Sequence, residues 1–122
     1  MCDAPTILNV GQCGLDGPRI KRFLESEFSA TVRNADSVDD AREQIDGGSF
    51  DLVLTNRILD STHEEGMEVV RIAAEHQVPV ILVSNYDDAQ QKAESAGAKP
   101  GFGKAALDSD ETKSRIQSAL AG

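Results

Sequence analysis

The chain has 122 residues, which suits one domain with a single packed core over residues 1–122. Its 39% hydrophobic and 27% charged residues are typical of a folded globular domain and argue against a disordered chain. A formal net charge of −9 argues against binding to nucleic acids or acidic membranes, because both are negatively charged. The sequence contains no apolar run long enough to span a bilayer and no signal segment, so we expect a cytoplasmic protein.

Apolar, β-branched runs predict five strands that alternate with helical patterns along the chain. The third and fourth runs are apolar without interruption, as expected of parallel strands that are buried on both faces. Each gap between strands is long enough for a crossover helix. The predicted strands are Thr6–Val10, Ala30–Asn34, Asp51–Asn56, Val80–Ser84 and Gly101–Gly103.

The helices carry their own start and stop signals. Pro18 suits the first turn of the first helix. Ser37, with Asp40 three residues later, resembles a capping box, and Gly47-Gly48 indicate the end of that second helix. The other helices are predicted to start near Gly66, Asp87 and Ser109. The alternation predicts an α/β fold with a doubly wound, five-stranded parallel sheet.

The loop after the first predicted strand, "NVGQCGLDG", contains three glycines: Gly11, Gly14 and Gly17. Glycines at this place can let the backbone wrap around a phosphate. The spacing G-x-x-G-x-x-G differs from the dinucleotide-binding fingerprint, and no G-K-[ST] of a P-loop follows. A complete dinucleotide fold also needs a second half that a chain of this length lacks. Nucleotide binding is therefore the less favoured interpretation of this loop.

Ligands of a parallel α/β sheet bind at the carboxyl ends of its strands. The residues predicted there are Gly11, Gln12, Asn56, Ser84 and Lys104. In three segments, "FDLVLTNRIL", "VPVILVSNYDD" and "SAGAKPGFGK", the chain resembles the receiver domain of bacterial response regulators, and the resemblance covers essentially its full length. It implies a (βα)5, flavodoxin-like topology with the strand order 2-1-3-4-5.

The resemblance also shows where the chain departs from the family. Receiver domains carry an acidic pair after the first strand and a phosphoacceptor Asp at the end of the third. Ser84 and Lys104 match the family, but Gly11 and Gln12 fall at the acidic pair and Asn56 falls at the phosphoacceptor. An amide offers no anionic oxygen to a phosphoryl group, and Mg²⁺ prefers anionic oxygens. These five residues therefore predict a vestigial phosphorylation pocket, with no catalytic residue, metal or cofactor.

The functional expectation is a phosphorylation-independent protein-interaction module of two-component signalling, a monomer or weak dimer, and not an enzyme. Receiver-like domains commonly contact partners through the fourth helix, fifth strand and fifth helix, which makes Tyr86 and Phe102 candidate contact residues. Core packing explains Phe102 equally well. The alternative is a small anion- or nucleotide-binding α/β domain that uses the Gly-rich loop and Lys104.

The loop "RILDSTHEEG" is slightly longer than its counterpart in the family. Its acids Asp60, Glu64 and Glu65 could form a substitute metal site, although a charged, solvated loop is the commoner explanation. Part of it is similar to the Ser-phosphorylated turn of anti-sigma-factor antagonists. The antiparallel strand pattern with which those domains open is missing here, which argues against that family.

Lys104 needs a partner, because a desolvated and unpaired ammonium group is costly. We expect it to reach the side-chain oxygen of Asn56 or nearby loop carbonyls, with Asp16 and Asp60 as candidate counter-charges. Where the family usually has an aromatic residue in its fifth strand, this chain has Gly101. The two cysteines, Cys2 and Cys13, are predicted to be free thiols.

Overall fold

Strands and helices alternate along the part of the chain that the computed structural model describes, residues 4–48 and 50–121. The strands are β1 (Thr6–Val10), β2 (Thr31–Ala35), β3 (Leu52–Asn56), β4 (Val80–Val83) and β5 (Lys99–Phe102). The helices are α1 (Asp16–Phe28), α2 (Val38–Gly47), α3 (Gly66–Glu75), α4 (Asp87–Ser95) and α5 (Asp110–Leu120), and a short 3₁₀ turn covers Lys104–Ala106. Cys13 is a free thiol, whereas Cys2 lies outside the described residues.

All five strands are parallel and lie in the order β2-β1-β3-β4-β5, which confirms the predicted flavodoxin-like α/β fold. Strand β1 lies between β2 and β3, where Val10 pairs with Ala35 and with Thr55. Strand β5 begins at Lys99, earlier than predicted, because Pro100 is tolerated in an edge strand that needs hydrogen bonds on one side only. The carboxyl ends of the strands therefore share one edge of the sheet.

Two apolar cores sandwich the sheet. One contains Leu8 and Val10 and is covered by α2, α3 and α4, whereas the other contains Ile7 and is covered by α1 and α5. Successive side chains of a strand point to opposite faces. Asn9, between Leu8 and Val10, therefore faces the same side as Ile7. Asn9 is a polar residue, and the residues directly before and after it in the strand are buried and apolar.

The helix boundaries follow the local sequence signals. The Ser37 hydroxyl accepts a hydrogen bond from the Asp40 backbone N–H at 3.0 Å, and α2 ends at Gly47 with Gly48 as its C-cap. Ser109 caps α5 in the same way, through the backbone N–H of Thr112. Within residues 4–48 and 50–121, none of the helices combines the length and the apolar character that a membrane crossing needs.

Candidate functional site

Three of the five predicted pocket residues meet at the carboxyl edge of the sheet. Asn56, Ser84 and Lys104 line one open depression of about 220 Å³, together with Arg57 and others. Gly11 adjoins it through a hydrogen bond to Asn56. Gln12 does not belong to the depression, because its side chain lines a different cleft, between α1 and β2. The side chain of Gln12 therefore lies apart from the other predicted pocket residues.

The amide of Asn56 links the ends of two strands. Its Nδ2 donates to the carbonyl of Gly11 at 3.2 Å, and its Oδ1 accepts from the Arg57 backbone N–H at 3.0 Å. The expected hydrogen bond from Lys104 to the Asn56 oxygen is not made, because that oxygen is used by the adjacent backbone and Lys104 turns to an acid. A carboxylate here would lose the donor that reaches Gly11 and set its own negative charge against a carbonyl oxygen.

Gly11 is required by its backbone conformation and by a neighbouring side chain. Its φ is +72°, in the region that favours glycine, and a Cβ built on it would lie 2.5 Å from Cγ of Leu59. Leu59 is fully buried. The loop after β1, where the resemblance places the acidic pair of receiver domains, is thus packed against a leucine. An acid at Gly11 would collide with that leucine, and the site does not fit Mg²⁺.

Lys104 forms an ion pair with the first residue of α1. Its Nζ lies 2.9 Å from Oδ2 of Asp16, and the two side chains are only 28% and 25% exposed. Asp16 is thereby confirmed as the counter-charge, and its place in the first turn of a helix also favours a negative group. The hydrogen bond from Lys104 lowers the pKa of Asp16; partial burial opposes this effect, and a hydrogen bond from the Cys13 thiol adds to it.

A further residue at this edge, Gln90 of α4, was not predicted from the sequence. Gln90 donates through Nε2 to the carbonyls of Leu82, at 2.8 Å, and of Ser84, at 3.1 Å. A Cβ on Gly101 would lie 2.5 Å from the Gln90 side-chain oxygen. The glycine that replaces the family's aromatic residue therefore makes room for Gln90. Gly101 was the available signal, but no spacing rule connects it to Gln90.

The two candidate partner-contact residues differ in exposure. Tyr86 is 63% exposed, and the Arg57 guanidinium lies 5.0 Å from the centre of its ring, a cation–π arrangement. Phe102 is 4% exposed and packs in the core beneath α1 and α5. The burial of Phe102 favours the core-packing explanation of this residue over a contact role. Tyr86 retains the exposure that a contact residue needs.

The acids of the loop before α3 have a structural role. Glu64 accepts a hydrogen bond from the Val38 backbone N–H at 3.0 Å, which satisfies a free donor at the start of α2 and lowers the pKa of Glu64. Glu65 pairs in a short bridge with Ile58. In the described part of the chain, no group of three or more His, Cys, Asp and Glu side chains is placed to hold a metal ion.

Comparison with known proteins gives a clear result for the fold. No family model matches the chain, and no curated protein matches it. A solved two-component response regulator from Clostridium difficile matches with a TM-score of 0.79 and 18% identity, over 96% of each chain. The beryllofluoride-activated receiver domain dimer of NtrC4 matches with a TM-score of 0.80 and 18% identity, over 95% of this chain and 96% of that one.

A longer protein contains the same unit. NtrX from Brucella abortus matches with a TM-score of 0.82 and 22% identity, and the match covers 98% of this chain but 27% of NtrX. This chain therefore spans about a quarter of that relative's length. Taken together, the similarities establish that the chain has the fold of response-regulator receiver domains.

Proposed function

We propose that this chain is a receiver-type domain that works without aspartyl phosphorylation, as a protein-interaction module in bacterial two-component signalling. It is not an enzyme, and it acts in the cytoplasm. The observation that carries this proposal is the Asn56 amide, which stands where the phosphoacceptor carboxylate belongs and has both of its polar atoms engaged by backbone groups.

The chemistry of phosphoryl transfer lacks its essential parts at this site. A phosphoacceptor must supply an anionic oxygen, and the Asn56 amide is neutral. Mg²⁺ would need further acidic ligands. Gly11, at one of those positions, lies against the buried Leu59, and Gln12, at the other, turns into a separate cleft. Restoring one carboxylate would leave the metal without its ligands.

Lys104 supports the proposal through its partner. In the family this lysine faces a negatively charged pocket, and here Asp16 supplies the negative charge from the start of α1. The pair neutralises the lysine at all times and requires no modification. The domain then keeps one arrangement at this edge, which suits a constitutive binding surface better than a switch.

The partner-contact surface is assigned to the groove beside Tyr86. This groove, about 320 Å³, lies between the start of α4 and the loop after β3. Its lining combines apolar side chains, among them Ile58, Met67 and Leu82, with the cation of Arg57 beneath the exposed ring of Tyr86. Tyrosine and arginine are enriched among residues that dominate protein interfaces.

The proposal is tested in two steps. The chain is incubated with acetyl phosphate and Mg²⁺, and its intact mass is expected to stay unchanged. An adduct of one phosphoryl group that hydroxylamine removes would contradict the proposal. The chain is then used to capture partners from its native cells, alongside Tyr86→Ala and the matched control Leu15→Ala, which removes an exposed apolar side chain elsewhere. Capture should fall for Tyr86→Ala and not for the control.

A second candidate, the binding of a small anion, is favoured by one observation: Arg57 and Lys104 line the same depression. Asp16 compensates the charge of Lys104, which argues against it. A thermal-shift measurement with phosphate and with nucleotides decides between the two. Stabilisation by phosphate that depends on Lys104 would favour the anion site, and no change favours the interaction module.

A further inference from the structure

Two buried side-chain amides, those of Asn9 and Gln12, make no hydrogen bonds within the described residues. The side-chain nitrogen and oxygen of Asn9 are shielded from solvent, and so are those of Gln12. None of the four atoms has a hydrogen-bond partner among residues 4–48 and 50–121. Asn9 as a whole is 2% exposed. Buried polar groups in proteins are almost always hydrogen-bonded, so a pair of such amides needs an explanation.

Asn9 and Gln12 both line one cleft of about 440 Å³, which we call the α1–β2 cleft, and their amide atoms are shielded in its wall. One wall is formed by the β1–α1 loop and α1, with Gln12 and Lys21, and the other by the ends of β1 and β2, with Asn9 and the following Asp36. The volume falls within the range of small-molecule sites in proteins. The cleft shares no lining residue with the depression that contains Asn56 and Lys104.

From these observations we infer that the α1–β2 cleft binds a small neutral molecule whose planar edge carries adjacent hydrogen-bond donors and acceptors, a nucleobase or its nucleoside. A primary amide presents one donor and one acceptor side by side, and Asn and Gln pair with the edges of bases in this bidentate way. Asn9 and Gln12 together offer two such pairs to one ligand.

The charges around the cleft favour a neutral ligand. Lys21 and Asp36, both in the lining, carry opposite charges, so neither an anion nor a cation gains from the pair as a whole. The net charge of −9 further disfavours nucleotides with several phosphates. Asn9 is almost fully buried, so a small flat ring that enters edge-on suits the cleft better than an extended peptide.

Gln12 provides the way in. The residue is half-buried, so its unbranched side chain can rotate towards solvent. Since its amide makes no hydrogen bond within the described residues, this rotation breaks none. The same movement would let the Gln12 amide turn with the ligand and give the ligand access to the Asn9 amide. Ligand binding would then satisfy polar atoms that are shielded from water in the free protein, which is a source of affinity independent of buried apolar area.

The test uses adenosine, guanosine, cytidine and uridine in turn, with ribose alone as the control for the sugar. We expect at least one nucleoside to raise the melting temperature, by about 4 °C once it exceeds its Kd tenfold. Adenosine monophosphate is included to ask whether a phosphate increases the rise in melting temperature.

A second measurement follows the two amides directly. The side-chain amide signals of Asn9 and Gln12 should move in ¹H–¹⁵N spectra during the same titration. A panel without any thermal or spectral response, or an equal response to ribose, would overturn the inference.

Two variants separate binding from folding. Asn9→Leu removes the buried amide at nearly constant volume, so it should abolish the nucleoside response and, without ligand, raise the melting temperature by about 4 °C. Gln12→Met should abolish the response with a smaller change in stability. The matched control Gln117→Leu, at an exposed amide on α5, should change neither. If Asn9→Leu lowers the melting temperature or leaves the nucleoside response intact, the inference is wrong.

Discussion

Two regions at the same edge of the sheet treat their polar groups in opposite ways. In the depression formed by β3, β4 and β5, the chain itself supplies the partners: Asn56 is held by backbone groups of β1 and β3, and Lys104 is held by Asp16. In the α1–β2 cleft, the amides of Asn9 and Gln12 have no partner within residues 4–48 and 50–121. The depression contains residues that match the family, but Asn56 and Lys104 already have partners within the chain. The α1–β2 cleft contains no known motif, but its two amides have no hydrogen-bond partner among the described residues.

This contrast shows that a site can match a family in sequence and still have no free hydrogen-bonding groups for a ligand. The depression would attract attention in any alignment to receiver domains, since Ser84 and Lys104 match the family there. Its contacts nevertheless stabilise a fixed arrangement. The cleft is found only by asking where each buried polar atom has its partner, a question of physical chemistry and not of sequence pattern.

We expect the largest effect from a change at Gly11, because Leu59 packs directly against this residue. Gly11→Asp should lower the free energy of unfolding by about 3 kcal/mol or more, because it combines left-handed backbone strain with a collision against Leu59. Urea unfolding measures the loss. Gly14→Asp is the matched control, since no atom of the described residues lies within 4 Å of a Cβ built there. Equal stability of the two variants would refute the packing that we describe.

Asn56→Asp should cost about 2 kcal/mol at neutral pH, because it replaces the donor to the Gly11 carbonyl with a negative charge. The loss should shrink in acid as the new carboxyl group takes up a proton that it can donate to the same carbonyl. Urea unfolding at two pH values checks both statements.

The same variant should also gain no mass with acetyl phosphate and Mg²⁺, because the other metal ligands are still absent from the site. Ready phosphorylation of Asn56→Asp would contradict this expectation and show that the depression can accept a phosphoryl group once a carboxylate is present.

Asp16→Asn should cost about 0.5–1 kcal/mol, since the ion pair with Lys104 is partly exposed. The pKa of Asp16 is lowered in the fold, so the stability from this pair is present above the usual pKa of 3.8 and is lost as the pH falls through the lower folded value. The variant should therefore lose less stability on acidification than the parent chain. It should also become more stable in sulfate, because Lys104 is freed. Identical acid sensitivity in both chains would contradict the pairing.

The smallest effect concerns His76, which lies outside both regions and serves as a reference for them. Its ring contacts the Ile72 carbonyl and pairs with Asp46, and these contacts raise the pKa of His76. A raised pKa means stability that is complete below the usual value of 6.5 and is lost as the pH rises through the folded value. His76→Gln should flatten the dependence of melting temperature on pH near neutrality and leave that of the Asp16 pair unchanged.

Much of the fold could be predicted from local patterns. Continuous apolar runs marked β3 and β4, and the hydroxyl of Ser37 caps α2 as its spacing indicated. Strand β5 was the least well placed, because glycine and proline obscure its pattern and its start depends on pairing with β4. Short edge strands depend on their neighbours more than on their own residues.

The candidate site could be predicted only in part, because its decisive contacts join distant elements. The sequence identified Asn56 and named Asp16 as one of two counter-charges for Lys104. It could not show that Leu59 packs on Gly11, or that Gln90 fills the space above Gly101. The sequence also left open where two side chains point. One residue of strand register decides whether Phe102 faces the core or the surface, and one side-chain rotation decides which cleft Gln12 lines.

The packing of Leu59 against Gly11 also limits how the chain could be redesigned. Installing a phosphorylation site would require acids at Gly11 and Asn56, and each of these changes alone should weaken the fold. Space for an acid at Gly11 appears only after Leu59 becomes smaller, and that change leaves a cavity in the core. Each single substitution toward such a site therefore costs stability before any phosphorylation is gained. The Leu59 side chain thus sets the order of the changes, because it has to be replaced before an acid can be placed at Gly11.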